Sequence, residues 1–138
     1  LIAHFYAAAL LAILLAPAAH ASAFSPDRIQ LSEPVLRSDS SELEPTSAGD
    51  QVGIATTLHN NDDKALSFFV IIEVRDAQGF TTQLNWVEVH LDEGEDAETG
   101  ISWIPSKTGN YELRAFVLTD IANPLPLSQI AESGVDIA

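Results

Sequence analysis

The sequence predicts an all-β protein, an antiparallel sandwich of about seven short strands preceded by an N-terminal hydrophobic segment. Three observations carry that prediction. Short runs alternate apolar and polar residues and are separated by clusters of Asn, Asp, Gly, Pro and Ser. No stretch after residue 23 repeats its apolar residues at helical spacing. Ile101-Ser-Trp-Ile-Pro105 and Gly109-Asn-Tyr-Glu-Leu-Arg-Ala-Phe-Val-Leu118 read as a strand closed by proline, a turn, and a second strand opened by tyrosine.

That pair is how two strands meet at the tyrosine corner of an immunoglobulin-like sandwich. The other elements follow in order. Residues 1–23 hold no charged side chain, and Phe5 to Ala16 is almost wholly apolar before Pro17 and Ala19-His-Ala-Ser-Ala23. An apolar run before an A-x-A site reads as a signal peptide cleaved after Ala21 or Ala23. It starts at Leu1 with no basic flank, as expected of a truncated start. The other readings are a retained anchor or filament helix, or a buried helix. The domain is expected over 24–138. Arg28 to Leu36 is the first strand, and the polar run Ser38 to Asp50 is a loop. Val52, Ile54, Thr56 and Leu58 form one face of the next strand, which ends in the turn Asn60 to Lys64. Ala65 to Arg75 and Thr81 to Leu91 are strands joined at Ala77-Gln-Gly79, and Asp92 to Glu98 is an acidic turn. After the corner pair, Asp120 to Pro126 is a loop and Gln129 to Ile137 the last strand.

Composition narrows the function. The 138 residues carry 20 acidic and 6 basic side chains, a formal charge of −14. All of that charge lies after residue 23. Nucleic acid and anionic membrane need clustered Lys and Arg, so neither is expected as a partner. A membrane enters only if the N-terminal segment is retained. With no cysteine, stability rests on the core rather than on disulfides. The absence of Cys and Met also excludes a blue-copper site.

The strand at 65–75 and the one at 109–118 are expected as antiparallel neighbours, with residue numbers summing to 187 across the pair. Glu73 then faces Arg114, Arg75 faces Glu112, Ile71 meets Phe116 and Phe69 meets Leu118. The opposite face pairs Val70 with Val117, Ile72 with Ala115 and Val74 with Leu113. A slip of one residue would put every one of these on the wrong face. Alternation does not distinguish inside from outside here, because both faces are largely apolar. The reading adopted turns Phe69, Ile71, Phe116 and Leu118 outward.

Gly49-Asp-Gln-Val52, Leu58-His-Asn60, Ile101-Ser-Trp103-Ile-Pro105 and Gly109-Asn-Tyr111 together carry a family likeness. From about Arg28 to Ile137 the chain resembles the small Ig-like domains of exported prokaryotic proteins, including the CARDB-like (cell-adhesion-related) and fibronectin-III-like groups. Val74-Arg-Asp76 and the aromatic strand after it are similar to single-domain exported proteins of archaea. The resemblance implies a secreted or cell-surface sandwich, non-catalytic and adhesive or interacting, and it transfers no catalytic residue. Those modules usually stand in tandem or beside an anchor, whereas one is seen here.

Candidate sites are few. Asp92, Glu93, Glu95, Asp96 and Glu98 concentrate carboxylates that suit a weak calcium site, without the spacing that folds a loop around the ion. Asn60 to Asp63 is a poorer case. His59 and His90 lack further ligands at zinc spacing. No cofactor is expected. No G-x-S-x-G, H-E-x-x-H or glycine-rich phosphate loop occurs, so no enzyme is expected. Phe69, Ile71, Trp86, Phe116 and Leu118 form the candidate partner surface. The last strand is expected as an edge, weakened as a template by Glu132, Gly134 and Asp136. The sequence thus reads as a surface module contacting a protein or glycan, or self-assembling. The alternatives are a pilin-like filament subunit with a retained helix, and an exported cation- or small-ligand-binding protein.

Overall fold

The computed structural model describes residues 25–38 and 45–138. The expected signal segment and its filament alternative lie outside the described residues. Eight strands follow one another: β1 (Ile29–Leu31), β2 (Val35–Arg37), β3 (Val52–Asn60), β4 (Leu66–Asp76), β5 (Thr81–Leu91), β6 (Asp96–Trp103), β7 (Gly109–Leu118) and β8 (Ala131–Ile137). They form two antiparallel sheets, an open sandwich rather than a barrel. One sheet has the order β5-β4-β7-β8, and the other places β1 and β2 end to end along one side of β3 with β6 along its other side.

The count is eight rather than seven because the first strand is broken. Leu31 faces Leu58 and Val35 faces Ala55, so Ser32-Glu-Pro34 stands against Thr56-Thr57 with one residue to spare. Such an extra residue is a bulge, and Pro34 has no N–H to contribute to a ladder. Thr57 N–H donates to Ser32 Oγ at 2.9 Å, and Thr56 Oγ1 donates to the Ser32 carbonyl at 2.8 Å, so the break is pinned from both sides.

The β4–β7 register is the expected one throughout, from Phe69 opposite Leu118 to Arg75 opposite Glu112. Val70, Ile72, Val74, Leu113, Ala115 and Val117 are fully buried, so their face is the core face. From the facing sheet come Val52, Ile54, Leu58 and Trp103. The corner is built as its sequence suggests. The Trp103 and Tyr111 rings meet edge to face at 5.1 Å, and Tyr111 Oη donates to the Lys107 carbonyl at 3.0 Å.

Asn60 ties two turns together. It is buried, and its amide donates to the carbonyls of Lys64 and Asp92 at 2.9 Å each and Leu91 at 3.4 Å. Its Oδ1 accepts from Asp62 N–H at 3.0 Å. The acidic turn is shorter than expected, since Asp96, Ala97 and Glu98 already belong to β6. Gly100 is constrained on the same strand, because a Cβ there would press into the Ile54 carbonyl and stand 3.1 Å from Ala55 Cα.

Candidate functional site

The face of the β5-β4-β7-β8 sheet turned away from the core is ordered in rows by its register. One row runs Glu88, Phe69, Leu118; the next runs Trp86, Ile71, Phe116. A third runs Leu84, Glu73, Arg114, Glu132 across all four strands. The five residues expected as a partner surface are therefore brought onto one face. Trp86 is 54% exposed and Leu84 beside it 49%. Phe69, Phe116 and Leu118 are half-buried, and Ile71 is buried beneath its neighbours.

A polar clamp closes the other half of the face. Glu73 Oε1 accepts from Arg75 Nε at 2.9 Å and Thr81 Oγ1 at 2.6 Å, while Oε2 accepts from Arg114 Nη1 at 2.7 Å. Arg114 Nε passes on to Glu132 Oε1 at 3.0 Å. Burial by itself would raise the Glu73 pKa. It is outweighed by the Thr81 and Arg75 hydrogen bonds and by the Arg75 and Arg114 charges, so the carboxyl sits below its ordinary value. Arg75 faces Glu112 in the register, but the hydrogen bond it makes is to Glu73 on its own strand.

The acidic residues proposed for calcium are not brought together. Glu95 folds back to accept from Asp92 N–H at 2.7 Å. Asp96 Oδ1 pairs with His59 Nδ1 at 2.7 Å, and Glu98 with Arg37 at 2.8 Å, both on the outer side of the other sheet. Glu93 is exposed at the turn. His90 Nδ1 lies 2.8 Å from Ser67 Oγ. Among the described residues no group of three or more His, Asp or Glu side chains is placed to hold a metal ion. A cleft of about 570 Å³ opens between β1 and the approach to β8, lined by Asp27, Gln30, Leu31, Asn61 and Gln129 among others. It gathers no nucleophile-and-base pair. Sequence reasoning missed Asn60 and Thr81 as fixed hydrogen-bonding groups. Asn60 had a signal, standing where an apolar alternation meets a turn; Thr81 had none.

No protein-family model matches the chain, and no curated protein matches it at a significant level. Solved structures do match. The C-terminal domain of Wzt superposes with a TM-score of 0.67 at 9% identity, covering 83% of this chain and 80% of that one. The CARDB domain of a Pyrococcus furiosus protein, solved in complex with di-metal ions, gives 0.55 at 16% identity, covering 84% and 90%. A β-glucosidase from Erythrobacter marinus gives 0.56 at 14% identity over 80% of this chain, which spans only 15% of the enzyme's length. The chain is a small all-β sandwich domain. At these identities the likeness is one of fold. It is shared with the CARDB domain and with bacterial proteins of several activities, and it singles out no family.

Proposed function

We propose that this sandwich is a non-catalytic interaction module, exported and working at the cell surface, that binds a protein or glycan on the outer face of its β5-β4-β7-β8 sheet. The single observation that carries the reading is the exposure of Trp86 and Leu84 on one face of the sheet, 54% and 49%, beside the buried Ile71. An exposed indole on a sheet gives large contact area with little side-chain entropy to lose, as interface aromatics do. The Glu73 clamp fixes the strands beneath it. Support also comes from the matched structures, among them β-glucosidases and β-glucuronidases, of which a domain of this size is a small part. Export rests on the expected signal segment at 1–23.

Fluorescence offers the test. The chain has two tryptophans. Trp103 is buried and Trp86 exposed, so solvent-sensitive emission reports Trp86. Titration with oligosaccharides and with cell-envelope proteins is expected to shift that emission; by calorimetry, which needs no reporter at Trp86, Trp86→Ala is expected to abolish binding while leaving the melting curve in place. Binding that survives both Trp86→Ala and Phe116→Ala would place the contact elsewhere.

A further inference from the structure

Sheet edges present unpaired backbone groups, and folded proteins blunt them with charge, proline, bulges or a covering segment. The edge formed by β1 and β2 is broken at Pro34. β6 carries Asp96 and Glu98 within its 8 residues. β8, expected from the sequence to be the open edge, is partly covered. Ala138 N–H donates to the Thr46 carbonyl, Ala48 N–H donates to the Ala138 carbonyl, and Ser133 Oγ donates to the Pro34 carbonyl. β5 has little protection. It is 11 residues long, without proline, and Glu88 is its one carboxylate. Its irregularity lies at Thr82, which leaves Gln83 to Leu91 in constant register.

The hydrogen-bond phase of the sheet shows which β5 groups face outward. Leu127 N–H donates to the Val117 carbonyl and Val117 N–H donates to Ser128 Oγ, so the backbone of Val117 turns away from β4. Its neighbours Phe116 and Leu118 therefore turn toward β4, and there Phe69, Ile71 and Glu73 turn toward β7. Val70, Ile72 and Val74 are left to face Val87, Asn85 and Gln83 on β5. By the same alternation Leu84, Trp86 and Glu88 present their N–H and C=O groups to the open edge. No backbone hydrogen bond joins them to any other described segment. The residues with the exposed apolar side chains are thus the ones with edge-facing backbone.

We propose that a second copy of this chain pairs antiparallel along β5, about a two-fold axis at Asn85, fusing two four-stranded sheets into one. The strand is self-complementary in that register. Leu84 stands opposite Trp86 of the partner subunit, twice over, and the paired stretch Gln83 to Val87 lies wholly within the regular part of the strand. Centring the axis on Trp86 instead would set Leu84 against a carboxylate. The charge of −14 opposes association of two copies, but salt screens exposed charges beyond about 8 Å at physiological strength. Self-pairing therefore tightens as salt rises, whereas capture of a basic peptide by this acidic chain would weaken. The pairing leaves the outer face open and doubles its apolar row, so it extends the proposed binding surface. The two remain separable: a monomer that still binds ligand sinks only the pairing, and a dimer that binds nothing sinks only the surface.

The experiment is sedimentation of the full purified chain over a concentration series at low and high NaCl, with amide exchange read residue by residue. The expected result is a dimer fraction that grows with concentration and with salt, and slow exchange at Leu84 and Trp86 in the dimer alone. The chain has no cysteine of its own. Asn85→Cys is expected to cross-link on mild oxidation, because opposed Cα atoms of an antiparallel pair lie within disulfide reach. Val89→Cys, which lies beyond the paired stretch and far from its own copy across the axis, is expected to stay uncross-linked. Leu84→Lys is expected to weaken the dimer by about tenfold or more, with the melting temperature unchanged at concentrations where the native chain is monomeric. A monomer at every concentration, a dimer dispersed by salt, equal cross-linking through Val89→Cys, or slow exchange at these amides in a monomer would each overturn the proposal.

Discussion

Replacing Glu73 by Gln removes one charge and little volume from the clamp on the outer face. The amide oxygen still accepts from Arg75 and Thr81, but the amide nitrogen then faces Arg114 Nη1, donor against donor, where 2.7 Å now separates carboxylate from guanidinium. Breaking a buried ion pair costs about 3–5 kcal/mol. Here Arg114 keeps Glu132 and the Arg75 side chain is 34% exposed, so about 2–3 kcal/mol is the expected loss at neutral pH. For a domain of this size that lowers the melting temperature by about 8–12 °C. The Glu73 carboxyl titrates lower in the folded protein than in the unfolded chain. Its contribution is therefore complete above the ordinary glutamate range of about 4.3 and is lost as pH falls through the lowered folded value. Urea denaturation of the native protein and Glu73→Gln at pH 7 and pH 3 measures both effects, and the gap between the two proteins is expected to close on acidification. The double variant with Arg114→Gln should lose less than the sum of the singles. A deficit under about 0.5 kcal/mol at pH 7, the level of an ordinary surface change, or one that persists unchanged in acid, would refute the clamp.

Tyr111→Phe deletes the hydroxyl that donates to the Lys107 carbonyl but keeps the ring against Trp103, and should cost about 0.5–1.5 kcal/mol by thermal melting. Gly100→Ala drives a methyl group into β3, and thermal melting should show a loss of about 1–3 kcal/mol. Asn60→Asp keeps the acceptor but removes the amide that donates to three carbonyls, so denaturation should show a loss of at least about 2 kcal/mol at pH 7.

Much of the fold was legible because its strands alternate two kinds of residue at once. Between β4 and β7 the charged residues and the apolar ones each demanded the same register, and the structure has it. The tyrosine corner was legible for a local reason: Trp103, Pro105, Gly109 and Tyr111 lie within one turn of each other along the chain. Asp96 and Glu98 were misread as turn because acidity was given more weight than period. Ala97, Thr99, Ile101 and Trp103 alternate with them and continue the strand outward from the core. The break between β1 and β2 was hidden because it depends on which residues of β3 stand opposite Ser32 to Pro34.

Sequence by itself determined the class of fold, most of the strands, the pairing of β4 with β7 and the residues sharing a face. Those properties follow from the two-residue period of a strand and from local turn chemistry. Only the tertiary structure decided which apolar face of β4 is core, because that depends on Ile54, Leu58 and Trp103 arriving from distant parts of the chain. It also decided that Ile71 is buried while Trp86 stands open, and that β5 is an edge as β8 is, the end of β8 being covered by Thr46 and Ala48. An edge is defined by what fails to pair with it, and a residue's exposure by what covers it. Neither is a property of the strand's own residues.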